Sequence, residues 1–195
     1  MIVTGVFLGL MAEQWREGRH EQSLAQASLR NFRAEIVLNR TQIERVRAYH
    51  DSLEGNLLKF SDAKGLHTFT TFRTDTHFHG TRPVNLEHTA WDLALATQAL
   101  SYMKPDMAYM ISRVYTGQQS FQTLENGFMQ SAFTPVALAD TNNTIGLALS
   151  MSAYMADVNI QEPDLLKAYA VVLPKIDSAL GEPARARAES AAPLN

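Results

Sequence analysis

Residues 29–57 read "LRNFRAEIVLNRTQIERVRAYHDSLEGNL". Leu29, Phe32, Ile36, Asn39, Ile43, Val46, His50, Leu53 and Leu57 follow one another in alternating steps of three and four. That is the 3.5-residue repeat of a helix that keeps one face toward a partner, sustained here for four heptads. Charged residues fill the positions between, so the rest of the helix is solvated. Asn39 and His50 interrupt the apolar seam. A polar residue there either sets register or, for His50, places a titratable pH-sensing or ligand-binding group inside a bundle. The repeat suits both a bundle within one chain and a dimeric coiled coil, and leaves the choice open.

Toward the N-terminus, helix-favouring residues continue without a stop to "MIVTGVFLGLMAEQWREGRHE" (1–21). Met1 to Ala12 carries no charge. As a helix the run is about 18 Å long, against about 30 Å of bilayer hydrocarbon. A secretion signal wants a basic start and small residues at its cleavage point, and this run has neither. A buried helix end fits its length. Yet Trp15, Arg16 and Arg19 follow the run in the order in which a span leaves a bilayer, and Gly5 and Gly9 form a GxxxG step suited to helix packing in lipid. The expectation is therefore that residues 1–15 are the C-terminal part of a transmembrane helix whose beginning lies upstream of Met1.

Composition sets the outer bounds. The 195 residues are 46% hydrophobic, enough for a real core. A net charge of −3 argues against nucleic acid as a partner. With no cysteine, disulfides, thiolate metal sites and a cysteine nucleophile are excluded. From Pro105 to Ile160 the only basic side chain is Arg113. The second half therefore reads as core helices or as surface that meets another protein.

Residues 61–84 break the helical pattern with Gly65, Gly80, Pro83 and a run of threonines and phenylalanines. A long loop is expected, with a short hairpin or extended run near Thr68 to Arg73. His67, His77, His79 and His88 lie in or beside it, near Asp75 and Glu87. In an extended segment His77 and His79 project to one side, as in some metal sites. They are the candidate metal ligands, with His67 or His88 third.

Helical spacing returns at "TAWDLALATQAL" (89–100). Its start is capped by Asn85 or by Thr89, the latter with Asp92 at capping-box spacing. Ala90, Leu93, Ala94, Thr97 and Leu100 mark one face, and Trp91 is expected to anchor the helix in the core. A second helix is expected over 106–128 and a third over 144–159. A fourth is expected from Pro163, kinked at Pro174 and stopped by Gly181. Residues 182–195 read as a disordered tail. The expected architecture is all-α: a long membrane-proximal helix (16–60) continuing into a four- to five-helix bundle (85–181), with one long Thr/His-rich loop.

The order of "EQWREGR" (13–19), "LRNFRAEIVLNR" (29–40), "TAWDLALATQAL" and "MISRVYTGQQ" (110–119) resembles a group of bacterial single-span membrane proteins of unknown function. The resemblance covers about two thirds of the chain, the opening half of the span excepted. It implies anchoring in the bacterial inner membrane with the domain outside the cytoplasm, and it brings no catalytic residues. Partners are then the bilayer and either a second copy or another protein, through the bundle. No cofactor is implied. No Ser/His/Asp set, phosphate-binding glycine loop or paired-carboxylate motif is present. The sequence favours a tethered interaction, scaffold or sensory domain without catalysis. The alternatives are a metal-dependent enzyme or metal-binding protein using the 67–88 loop, and a small-ligand sensor bundle.

Overall fold

The computed structural model describes residues 2–65, 67–132 and 143–181, and their side chains other than those of 2–10 and 12. Among these residues all regular structure is helical, and a long N-terminal helix is followed by a helical bundle. The elements are α1 (Ile2–Asp62), α2 (Phe69–Asp75), α3 (Thr89–Ala96), a 3-10 turn (Ala99–Tyr102), α4 (Pro105–Ala132) and α5 (Thr144–Leu180).

The heptad positions of α1 face inward. Leu29, Phe32, Ile36, Asn39, Ile43, His50, Leu53 and Leu57 are buried and Val46 is half-buried. The seam is thus covered by this chain's own residues.

The expected membrane anchor is corrected. No helix among the described residues is long and apolar enough to cross a membrane. Helix α1 carries Glu13, Arg16, Glu17 and Arg19 in the turns that follow its uncharged stretch. The transmembrane assignment of residues 1–15, the membrane-anchored localisation and the extracytoplasmic placement go with it. Trp15, Arg16 and Arg19 have partners one helical turn away. The Arg19 guanidinium lies 4.7 Å above the Trp15 ring, and Arg16 pairs with Glu13, both spacings that meet on a helix surface. The packing expected of Gly5 and Gly9, and the tail 182–195, lie outside the described residues.

The chain forms two compact units. One draws on Met1–Val37, Glu87–Tyr115 and Ala170–Asn195, the other on Leu38–Leu86 and Thr116–Tyr169.

In the first unit, Phe32 is fully buried, with ring centroids 5.5 Å from Tyr115 and 6.4 Å from Trp91. Trp91 stacks on Tyr115 at 5.3 Å but stays half-buried. Glu35 joins this cluster by accepting from the Ala90 N–H at 2.8 Å and the Tyr115 hydroxyl at 2.6 Å. That first contact explains why the expected capping box at Thr89 and Asp92 is absent. Thr89 is already helical, and its N-cap His88 supplies no side-chain cap. A carboxylate from α1 binds a free N–H of the first turn instead. Ala90 and Ala94 face inward while Leu93 and Leu95 are exposed, so small side chains make the close contact. The Arg33 Nε lies 2.6 Å from Asp177.

In the second unit, Ile43, Leu53 and Leu57 are buried together with Phe121 of α4 and Met151, Met155, Val158 and Leu165 of α5. The extended run expected near Thr68 to Arg73 is corrected to helix α2. Thr68 caps it, accepting from the Thr71 N–H, while the Thr71 hydroxyl accepts from the Thr68 N–H. This is a capping box built from two threonines, residues that lose little at a helix start. Phe72 is then buried between Phe60, at 5.6 Å, and Phe78, at 5.5 Å.

The break expected between residues 159 and 163 is also corrected, because α5 runs unbroken through Pro163 and Pro174. Ala148, Met151, Met155, Val158, Glu162, Leu165, Tyr169, Val172 and Ile176 are all buried, in steps of three and four that keep phase across Pro163. Burial of that continuous seam outweighs the roughly 3 kcal/mol that an interior proline costs a helix. Asn143 Oδ1 accepts from the Gly146 N–H at the start of α5, and Gly181, at φ 75°, follows its end.

Candidate functional site: a buried histidine–carboxylate layer

The polar position in the α1 seam organises the second unit. His50 is wholly buried. Its Nδ1 lies 2.8 Å from Glu162 Oε1, and Glu162 is wholly buried as well. Its Nε2 lies 3.1 Å from the Thr81 carbonyl oxygen. Next to this pair stands Glu125 of α4, 1% exposed. It accepts from the Tyr154 hydroxyl at 2.7 Å and from the Val84 N–H at 3.5 Å. One turn along α1, Glu54 accepts from Asn159 Nδ2 at 2.6 Å, and Asn159 lies one turn before Glu162 on α5.

Both neighbours of the His50 ring are acceptors. A carboxylate and a carbonyl are both satisfied only when both ring nitrogens carry hydrogen, which is the imidazolium. Burial opposes that charge most strongly. The hydrogen bond and charge of Glu162, helped by the Thr81 carbonyl and by Glu125, outweigh it and hold the His50 pKa above its ordinary 6.5. Burial pushes the Glu125 carboxyl up from its usual range, against the bonds from Tyr154 and Val84. Burial, then the hydrogen bond to Glu125, raises the Tyr154 hydroxyl. These groups are sealed from solvent.

The linkage has a definite sign. His50 and Glu125 both bind their proton more tightly in the folded chain. The His50 contribution to stability is full below its unfolded pKa of about 6.5 and is lost as pH rises through the higher folded value. The Glu125 contribution is full below its ordinary 4.5 and is lost in the same direction. Urea midpoints measured from pH 5.5 to 9 are expected to fall steadily, and His50→Gln is expected to flatten most of the slope. A midpoint that rises with pH excludes this charge assignment.

The segment after α2, expected as an open loop, is tied to α1 at successive residues. The Tyr49 hydroxyl accepts from the His79 N–H at 3.0 Å and donates to the Gly80 carbonyl at 2.7 Å. His50 reaches Thr81, and the Arg82 guanidinium lies 4.4 Å above the Tyr49 ring. His77 and His79 are both exposed, beside an open groove of about 440 Å³ that they line with Phe69, Arg73 and Phe78. Among the described residues no group of three or more His, Cys, Asp or Glu is placed to hold a metal ion. His67 bonds the Ala63 carbonyl, and His88 meets Asp92 and the edge of Tyr115.

The sequence singles out His50 but neither of its carboxylates. Glu162 stands beside a proline that reads as a helix start, and Glu125 lies on a helix whose inward residues are otherwise apolar apart from Gln118. The seam of α5, counted through Pro163, is the signal that places Glu162 inside. Comparison with protein-family models, with curated proteins and with solved structures returned no match.

Proposed function

We propose that this chain is a non-catalytic helical interaction module that pairs with a second copy of itself through the outward face of α5. One observation carries the reading: α5 is apolar on both sides over residues 144–160. Its inward side holds the buried seam. Its outward side presents Ile145, Leu149, Ala153 and Ile160 in helical phase, with Leu149 49% and Ile160 62% exposed. Asp157 is the one charged residue in that stretch. A helix with apolar residues on both its inward and its outward side is ordinarily covered on both, and a single patch repeated on a two-fold-related copy is the commonest way to cover the outward one.

Sedimentation equilibrium over a wide concentration range tests the reading. The chain is expected to dimerise. Leu149→Glu and Ile160→Glu are each expected to weaken the dimer by about tenfold or more, since each removes a buried aliphatic side chain worth about 1.5–3 kcal/mol. Helical content is expected to be unchanged, because both sites face outward. A chain that stays monomeric at every concentration sinks the proposal.

A further inference from the structure

The layer around His50 holds more than two helices together, because one ring nitrogen reaches the Thr81 carbonyl in the segment after α2. That segment is strained. His77 at φ 54° and Arg82 at φ 49° occupy the left-handed region, uncommon for residues with a Cβ, and Gly80 between them is at φ 95°. Such conformations persist where the surroundings over-determine them. Here the ties run to Tyr49, His50 and Asn56 of α1 and to Glu125 of α4.

We propose that His50 is a protonation latch: as imidazolium it clamps residues 77–84 onto α1, and as neutral imidazole it lets go of the Thr81 carbonyl and loosens the segment that walls the α2 groove. A neutral ring keeps one hydrogen. The carboxylate of Glu162 is the stronger acceptor, so that hydrogen stays on Nδ1. The lone pair of Nε2 then faces the Thr81 oxygen at the 3.1 Å now bridged by a hydrogen bond, and two acceptors at that distance repel. The Thr81 carbonyl loses its donor inside the protein, and the strain at His77 and Arg82 loses one of its restraints. His77, Phe78 and His79 line the groove together with Phe69, Arg73 and Thr74 of α2. The shape of that groove therefore follows the charge on a residue buried behind it.

The titratable and charged groups around the ring decide where the latch works. Glu162 and Tyr154 come from α5, Glu125 from α4, Tyr49 and Glu54 from α1, and Arg82 from the segment itself. Glu162 and Glu125 both favour the imidazolium. Release is thus expected at a pH above the ordinary imidazole value of 6.5, and the clamped state below it.

The test pairs a titration of the His50 imidazole by NMR with amide hydrogen exchange between pH 6 and 9, corrected for intrinsic exchange. The protection of the His79 and Val84 amides is expected to fall about tenfold or more, with the midpoint of the His50 titration itself. The amide of Phe121, inside α4, is expected to hold its protection. In E162Q both midpoints are expected to move together, about one to three pH units lower, because the ring loses its charged partner. Segment protection that stays flat while His50 titrates overturns the latch. A protection midpoint that E162Q leaves in place overturns it as well. If E162Q does not fold, the two wild-type midpoints still decide: coincidence supports the latch, and disagreement overturns it.

Discussion

His50→Leu is expected to destabilise the folded chain by about 3–5 kcal/mol, the usual cost of leaving one member of a buried ion pair without the other. Glu162 lies wholly inside the second unit. Its Oε1 accepts from His50, and its Oε2 is buried with no protein donor among the described residues. Leucine fits the surrounding seam of Ile43, Leu53 and Leu57 in size and polarity, so packing loss is not the main contribution. The cost comes from the stranded carboxylate. The double variant His50→Leu/Glu162→Leu is accordingly expected to recover most of the loss, as buried pairs exchanged for apolar residues generally do. Urea unfolding of the wild type, both single variants and the double variant forms a cycle that isolates the pair. A single variant costing under about 1 kcal/mol, or a double variant as unstable as the sum of the singles, contradicts the assignment of His50 and Glu162 as a charged pair.

Phe32→Ala is expected to cost a similar amount, about 3–5 kcal/mol, by another route. Phe32 is fully buried against both Trp91 and Tyr115 in the first unit. Truncating it removes the apolar surface of the ring and leaves a cavity that the stiff neighbouring aromatics cannot close. Phe32→Leu refills most of the volume and is expected to lose less than about half as much. Fluorescence reports the change locally. Trp91 stacks inside the cluster at 5.3 Å from Tyr115, whereas Trp15 is 66% exposed. The alanine variant is therefore expected to shift tryptophan emission to the red through Trp91. A variant with wild-type stability and emission excludes Phe32 as the centre of this cluster.

Legibility differs from element to element for physical reasons. The 3.5-residue spacing from Leu29 to Leu57 reports which side chains lie on one line along a helix, and those are the residues buried. The spacing of α5 carries the same information, but Pro163 also reads as a start signal, because proline favours a first turn. Local preference and seam phase disagree there, and burial of nine phased side chains prevails. At Thr68 and Thr71, β-branched residues suggest extended chain, while their hydroxyls are available to cap α2. The run from Met1 to Ala12 combines an apolar composition with a Trp–Arg boundary. Those local signals suggest a boundary, but among the described residues no helix is long and apolar enough to cross a membrane.

By itself the sequence determined that the chain is helical, that α1 has one buried face, and that Asn39 and His50 lie on that face. These follow from periodicity and propensity, which act between residues a few positions apart. Only the tertiary structure decided what the face meets. It showed that the chain covers its own seam, that Glu35 caps a helix 55 positions away, and that His50 sits between Glu162 and the Thr81 carbonyl. A charge becomes a partner only through a position in space, and residues 112 apart are brought within 2.8 Å by the packing of whole helices, which no local pattern encodes.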